Sequence, residues 1–109
     1  MITITENELK AKLISSGWTF HDICAIKCVN APFEVLELLM PKLYEATGFD
    51  KYELFIVDID DSRTTDPGEI IFDYTCWDGY LRRNADSQML ISRALAVLCD
   101  IDAFIASHS

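Results

Sequence analysis

Three groups of residues in this chain have the types and spacing that chemistry needs. His21, Cys24 and Cys28 form the first: on a helix, positions 24 and 28 share a face and 21 lies three residues before 24, so an imidazole and two thiolates would converge as soft ligands for zinc. A fourth ligand would have to come from Cys76 or Cys99, and the surrounding Ile and Val favour buried structural thiols instead. The second is the run DIDDSRTTDPGEIIFD from Asp58 to Asp73. There Asp58, Asp60 and Asp61, joined by Asp66 or Asp73, offer oxygens suited to Ca²⁺ or Mg²⁺, but the loop lacks the spacing of an EF-hand. The third is Arg82-Arg83 with Tyr80 and Trp77, a short basic-aromatic patch of the kind that contacts phosphate and stacks bases. It adjoins the acidic run and is too small to overcome that field.

Each group is therefore weaker than its chemistry requires, and no metal, cofactor or direct nucleic-acid contact is expected. A catalytic centre is not expected either. His21 beside Asp22, and His108 in the tail, do not recommend themselves as general bases, and a thiol nucleophile at Cys24 or Cys28 has only sequence proximity to His21. The chain has no glycine-rich phosphate loop or dinucleotide fingerprint.

What the sequence does carry is charge. Eighteen acidic residues against nine basic ones give a net charge of −9 over 109 residues. From Glu53 to Asp78 there are eight acids (Glu53, Asp58, Asp60, Asp61, Asp66, Glu69, Asp73 and Asp78) and one base, Arg63. Such a polarised field repels nucleic acid and favours a basic protein or a cation.

The elements that must position this charge are legible from patterning. With 50% hydrophobic residues, one compact domain over residues 1–109 is expected. Thr5-Glu6-Asn7-Glu8 reads as a capping box with Ile4 as its staple residue, opening a helix with Leu9 and Leu13 on one face and an end near Gly17. The segment from Trp18 to Val29 is ambiguous between a loop or short helix and a strand. Pro32 starts a second helix whose buried face takes Val35, Leu36, Leu38, Leu39 and Leu43; Pro41 should kink or divide it, and Gly48 closes it.

Tyr52 to Ile59 is the strongest strand signal. It is apolar on both faces, which implies an interior strand covered on both sides, or on one side and by a partner. Ile70 to Trp77 alternates as a second strand, antiparallel to the first across a loop containing the turn Asp66-Pro67-Gly68. Asp58 and Asp73 would then lie near each other across the ladder. Tyr80 to Arg83 is a further strand candidate. Asp86 to Leu98 is the best helix of the chain, and Asp100 to Ile105 a short final one. The expected fold is α+β: a small antiparallel sheet of two to four strands packed with three to four helices.

Trp77, the Ala85-Asp86 pair and the run Ile91-Ser92-Arg93-Ala94-Leu95 resemble the second half of small bacteriophage proteins with an alpha-beta-alpha sandwich domain. The proline-rich approach to the last helix in that family is missing here. The resemblance implies a phage or mobile-element context and no mechanism.

No apolar run approaches the roughly 20 residues of a membrane span, and the N-terminus lacks a signal-peptide pattern. A cytoplasmic protein with four thiols in a reducing compartment follows as the expectation. The leading functional expectation is an acidic protein-binding module. Its partner would be a basic protein or nucleoprotein complex, such as a nuclease or nucleic-acid-binding defence protein whose phosphate site the carboxylates imitate. The surface would comprise Asp58, Asp60, Asp61, Asp66, Glu69 and Asp73, with Asp78 at its margin and Tyr74 and Trp77 as anchors if exposed. The alternatives are a structural or assembly protein acting as a homodimer and a small metal-dependent enzyme.

Overall fold

The computed structural model describes residues 4–56 and 67–108. Helix α1 spans Glu6–Ser15. Its start holds one half of the anticipated capping box, the Glu8 amide donating to Thr5 Oγ1 at 3.2 Å; in place of the reciprocal bond to the Thr5 amide, the Thr5 hydroxyl donates to Glu8 Oε1 at 3.1 Å. Leu9 and Leu13, four apart and thus on one face, are fully buried.

The ambiguous segment resolves as two strands, β1 (Thr19–His21) and β2 (Cys24–Pro32), joined by Asp22 and Ile23. Asp22 takes φ 58°, the left-handed region that Asp tolerates better than most residues and that tight hairpin turns require. Trp18, just before β1, and Ala25 in β2 both enter the core.

Helix α2 spans Phe33–Thr47 and is not divided at Pro41. Pro41 and Glu37, whose carbonyl loses its partner to the proline, both lie on the exposed face, where water can serve that carbonyl. Leu38, expected on the buried face, is exposed. Gly48 ends the helix at φ 77°, its amide donating to the Tyr44 carbonyl at 2.8 Å, as a left-handed C-terminal cap does.

Strand β3 is Leu54–Ile56 and β4 is Pro67–Asp73. They pair antiparallel, as expected, with Leu54 opposite Phe72 and Ile56 opposite Ile70. Beyond Asp73 the alternation that suggested a longer strand is misleading. Asp73 Oδ1 accepts the Thr75 amide at 3.0 Å, turning the chain into a 3₁₀ turn at Tyr74–Cys76 and then into α3, Trp77–Arg83. Tyr80 to Arg83 is accordingly helical. Helices α4 (Gln88–Cys99) and α5 (Ile101–His108) complete the chain.

The fold is α+β, a four-stranded antiparallel sheet in the order β1-β2-β4-β3 packed against five helices, one helix more than the sequence suggested. Strand β3 sits at the edge of this sheet rather than inside it. The inward side chains Ala25, Val29, Leu54, Ile70 and Phe72 share one hydrophobic cluster with Leu9, Leu13, Leu36, Leu39, Met40, Leu43, Ile91, Leu98, Ile101 and Ile105. Two tryptophans tie distant segments to this core. Trp18 Nε1 donates to the Leu98 carbonyl at 2.7 Å, and Trp77 Nε1 to that of Ile4 at 2.8 Å. No described helix is long and apolar enough to cross a membrane.

Candidate functional site

Because side chains alternate along a strand, the residues facing away from the core are read from the register. They form three rungs. The central rung is Thr19, Ile26, Ile71 and Phe55, each opposite the next across β1, β2, β4 and β3. On one side of it lies the rung His21, Cys24 and Asp73, and on the other the pair Cys28 and Glu69. Ile26, Ile71 and Phe55 are half-buried and stand outside the core cluster. Among the described residues, the helices bury their apolar faces against the opposite side of the sheet.

This outer face is therefore an apolar bar three residues wide, with one carboxylate on each flanking rung and no Lys or Arg at any of its described positions. Cys24, half-buried beside Asp73, has its thiol pushed up by burial and then by the charges of Asp73 and Asp22, the opposite of what an activated nucleophile needs.

The residues expected to form an acidic surface separate into groups. Glu69 and Asp73 stand on this face. Asp78 is exposed in the first turn of α3, where a carboxylate suits the helix dipole. Asp58, Asp60, Asp61 and Asp66 lie outside the described residues, so the expected approach of Asp58 to Asp73 does too. Asp73 itself faces Cys24 in β2, and its amide donates to the Glu53 carbonyl at 2.9 Å.

The condition attached to Tyr74 and Trp77 as anchors is exposure, and neither meets it. Trp77 is fully buried. Tyr74 is buried against Phe20, its hydroxyl donating to the Asp22 carbonyl at 2.8 Å, while Lys10 Nζ lies 4.9 Å from its ring centroid. Among the described residues the aromatic that does reach the outer face is Phe55, on the strand expected to be covered on both sides, or on one side and by a partner.

Glu53, counted in the acidic run, is a buried carboxylate held by Arg83, so it contributes nothing to a surface field. Arg83 is thereby removed from the supposed basic-aromatic patch, whose Tyr80 and Trp77 are both buried. The His21, Cys24 and Cys28 set is likewise dispersed: His21 and Cys24 are cross-strand neighbours, and Cys28 is an exposed residue opposite Glu69. Among the described residues no three His, Cys, Asp or Glu side chains come together as a metal site.

Comparison of the chain with protein-family models, with curated proteins and with solved structures finds no match. The outer face of the sheet thus stands on its own geometry.

Proposed function

We propose that this chain is an acidic protein-binding module that seats a basic protein partner on the outer face of its sheet. The observation that carries this reading is the aligned bar Ile26, Ile71 and Phe55, apolar and outside the core, bordered by Glu69 and Asp73. An apolar centre with a charged rim is the usual anatomy of a protein interface. The segment joining β3 to β4 carries Asp58, Asp60, Asp61 and Asp66. A basic partner gains from this charge both in steering and in specificity.

A second copy of the chain is a poorer occupant. It would bring Glu69 and Asp73 against their own equivalents, and a net −9 against another −9, which costs repulsion at ordinary salt. The resemblance to small phage proteins, together with the carboxylate spacing, favours an inhibitor that occupies the nucleic-acid site of a host nuclease or defence protein. Four free cysteines suit the reducing cytoplasm where such a target resides.

The test is affinity capture from bacterial lysate by three folded forms: native, Ile71→Ser, and the quadruple variant D58N/D60N/D61N/D66N. The reading requires one basic protein that the native form retains, that Ile71→Ser loses, and that the quadruple variant holds more weakly at low salt. Equal retention by all three forms would overturn it. Concentration-dependent dimerisation of the purified native chain that Ile71→Ser abolishes would replace it with the homodimer.

A further inference from the structure

A pocket of about 230 Å³ opens in the helical layer between α2, α4 and α5, lined by Lys42, Glu45, Ala46, Arg93 and His108. It is independent of the sheet face. Among the described residues the ion pairs are Lys27 with Asp102 and Arg83 with Glu53; neither Lys42 nor Arg93 has one. Glu45, three residues after Lys42 on the same helix, also lines the pocket, yet it stands beyond ion-pair distance of both.

His108 is held in place at the pocket wall. Its ring stacks on Phe104 with centroids 4.1 Å apart, and its Nδ1 lies 2.8 Å from the Phe104 carbonyl. A carbonyl only accepts, so Nδ1 carries the proton in this contact and Nε2 is left for another partner.

We propose that this pocket binds an oxyanion of the phosphate class. An ammonium and a guanidinium against one carboxylate leave a positive excess here, in a chain whose net charge is −9. An anion seated in the shared cavity would gain from both cations. The guanidinium fork matches two oxygens of a tetrahedral anion, and the lysine ammonium serves a third as a point charge. The alternative of a carboxylate ligand uses the fork but leaves Lys42 without an oxygen. The cavity exceeds a bare phosphate in size, so a small phosphomonoester also fits.

The experiment is an NMR titration of the full chain at fixed pH and ionic strength, with inorganic phosphate and separately with the amino acid O-phosphoserine as probes. Saturable shifts centred on the amides of Ala46, Arg93 and His108 are expected. Arg93→Gln should weaken binding about tenfold, the scale of a charge-assisted hydrogen-bond pair. Arg93→Lys should fall between, keeping charge and losing the fork, and Glu45→Gln should tighten binding by removing repulsion. Both positions are exposed, so the variants fold. Tighter binding of O-phosphoserine than of phosphate identifies an esterified ligand, and equal binding identifies the free ion. Shifts that do not saturate, that centre elsewhere, or that persist unchanged in Arg93→Gln overturn the proposal.

Discussion

Arg83 and Glu53, thirty residues apart, form a two-pronged ion pair: Nη1 donates to Oε2 at 2.7 Å, and Nη2 donates to Oε1 and, at 3.3 Å, to the Gly48 carbonyl. The carboxylate is buried while the guanidinium side chain is 45% exposed. One contact thereby joins α3, the end of α2 and the start of β3. The Asp50 and Glu53 turn completes it, with the Asp50 amide donating to Glu53 Oε1 at 3.1 Å.

Removing Arg83 leaves that carboxylate buried without its counter-charge. Arg83→Met should cost about 2 kcal/mol in urea unfolding, less than a fully buried pair would because the arginine is half in water. The double variant Glu53→Gln/Arg83→Met should recover part of the loss. Equal destabilisation by the single and double variants would show that packing of the arginine stem, not charge, is what Met replaces poorly.

Alkaline pH should destabilise the fold. Burial, and then the Glu53 charge, push the Cys76 thiol up from its ordinary value of 9.0, and burial pushes the Tyr80 hydroxyl up to about 12 from 10.0. Both groups hold their protons more tightly folded than unfolded. Their contribution is fully present below the unfolded values and is lost as pH rises from about 9. Midpoints of urea unfolding between pH 7 and 10.5 should fall, and Cys76→Ala should flatten the first part of the decline. A thiol-reactive dye at pH 8 should modify exposed Cys28 well before Cys76.

Two glycines should respond to alanine with opposite signs. Gly48 has φ 77°, and a Cβ there would stand 2.8 Å from Leu90 Cδ2. Gly48→Ala should lose about 1 kcal/mol or more. Gly79 lies inside α3, where an added Cβ meets nothing within 4 Å. Gly79→Ala should gain about 0.5–1 kcal/mol from helix propensity and a less free unfolded chain. Thermal midpoints of the two variants test both.

Neighbouring residues on β4 separate binding from stability. Phe72 is fully buried between Ala25 and Leu54, so Phe72→Ala should cost about 3–5 kcal/mol. Ile71 points to the other side. Ile71→Ser should cost no more than about 1 kcal/mol while abolishing partner retention, a combination that circular dichroism and capture read separately.

Several elements were legible because their signals are local. The capping box at Thr5 and Glu8 and the stop at Gly48 each depend on hydrogen bonds within a few residues. The apolar spacing of α4 and the pairing of Leu54–Ile56 with the β4 strand followed from periodicity. The helix at Trp77–Arg83 was not legible, because Tyr74, Cys76 and the residues between them continue the alternation of β4 until the Asp73 side chain turns the chain. Trp18 to Val29 fits both periods, and only its pairing with β4 decides for strands. In the candidate site, Glu69 and Asp73 were anticipated from charge. Ile26 and Phe55 were missed, since an apolar residue in a strand reads as core until the sheet's covered side is known.

The sequence by itself determined an acidic α+β chain, the start of α1 at Thr5, the end of α2 at Gly48 and one antiparallel strand pair, all set by backbone hydrogen bonding and short-range periodicity. Only the tertiary structure decided which apolar residues are core and which carboxylates are surface. Trp77 and Tyr74 went inside and Phe55 and Ile71 outside because the helices gather on one side of the sheet. Glu53 left the acidic surface because Arg83, thirty residues on, folds against it. Burial and charge pairing are properties of neighbours in space, and one-dimensional spacing does not contain them.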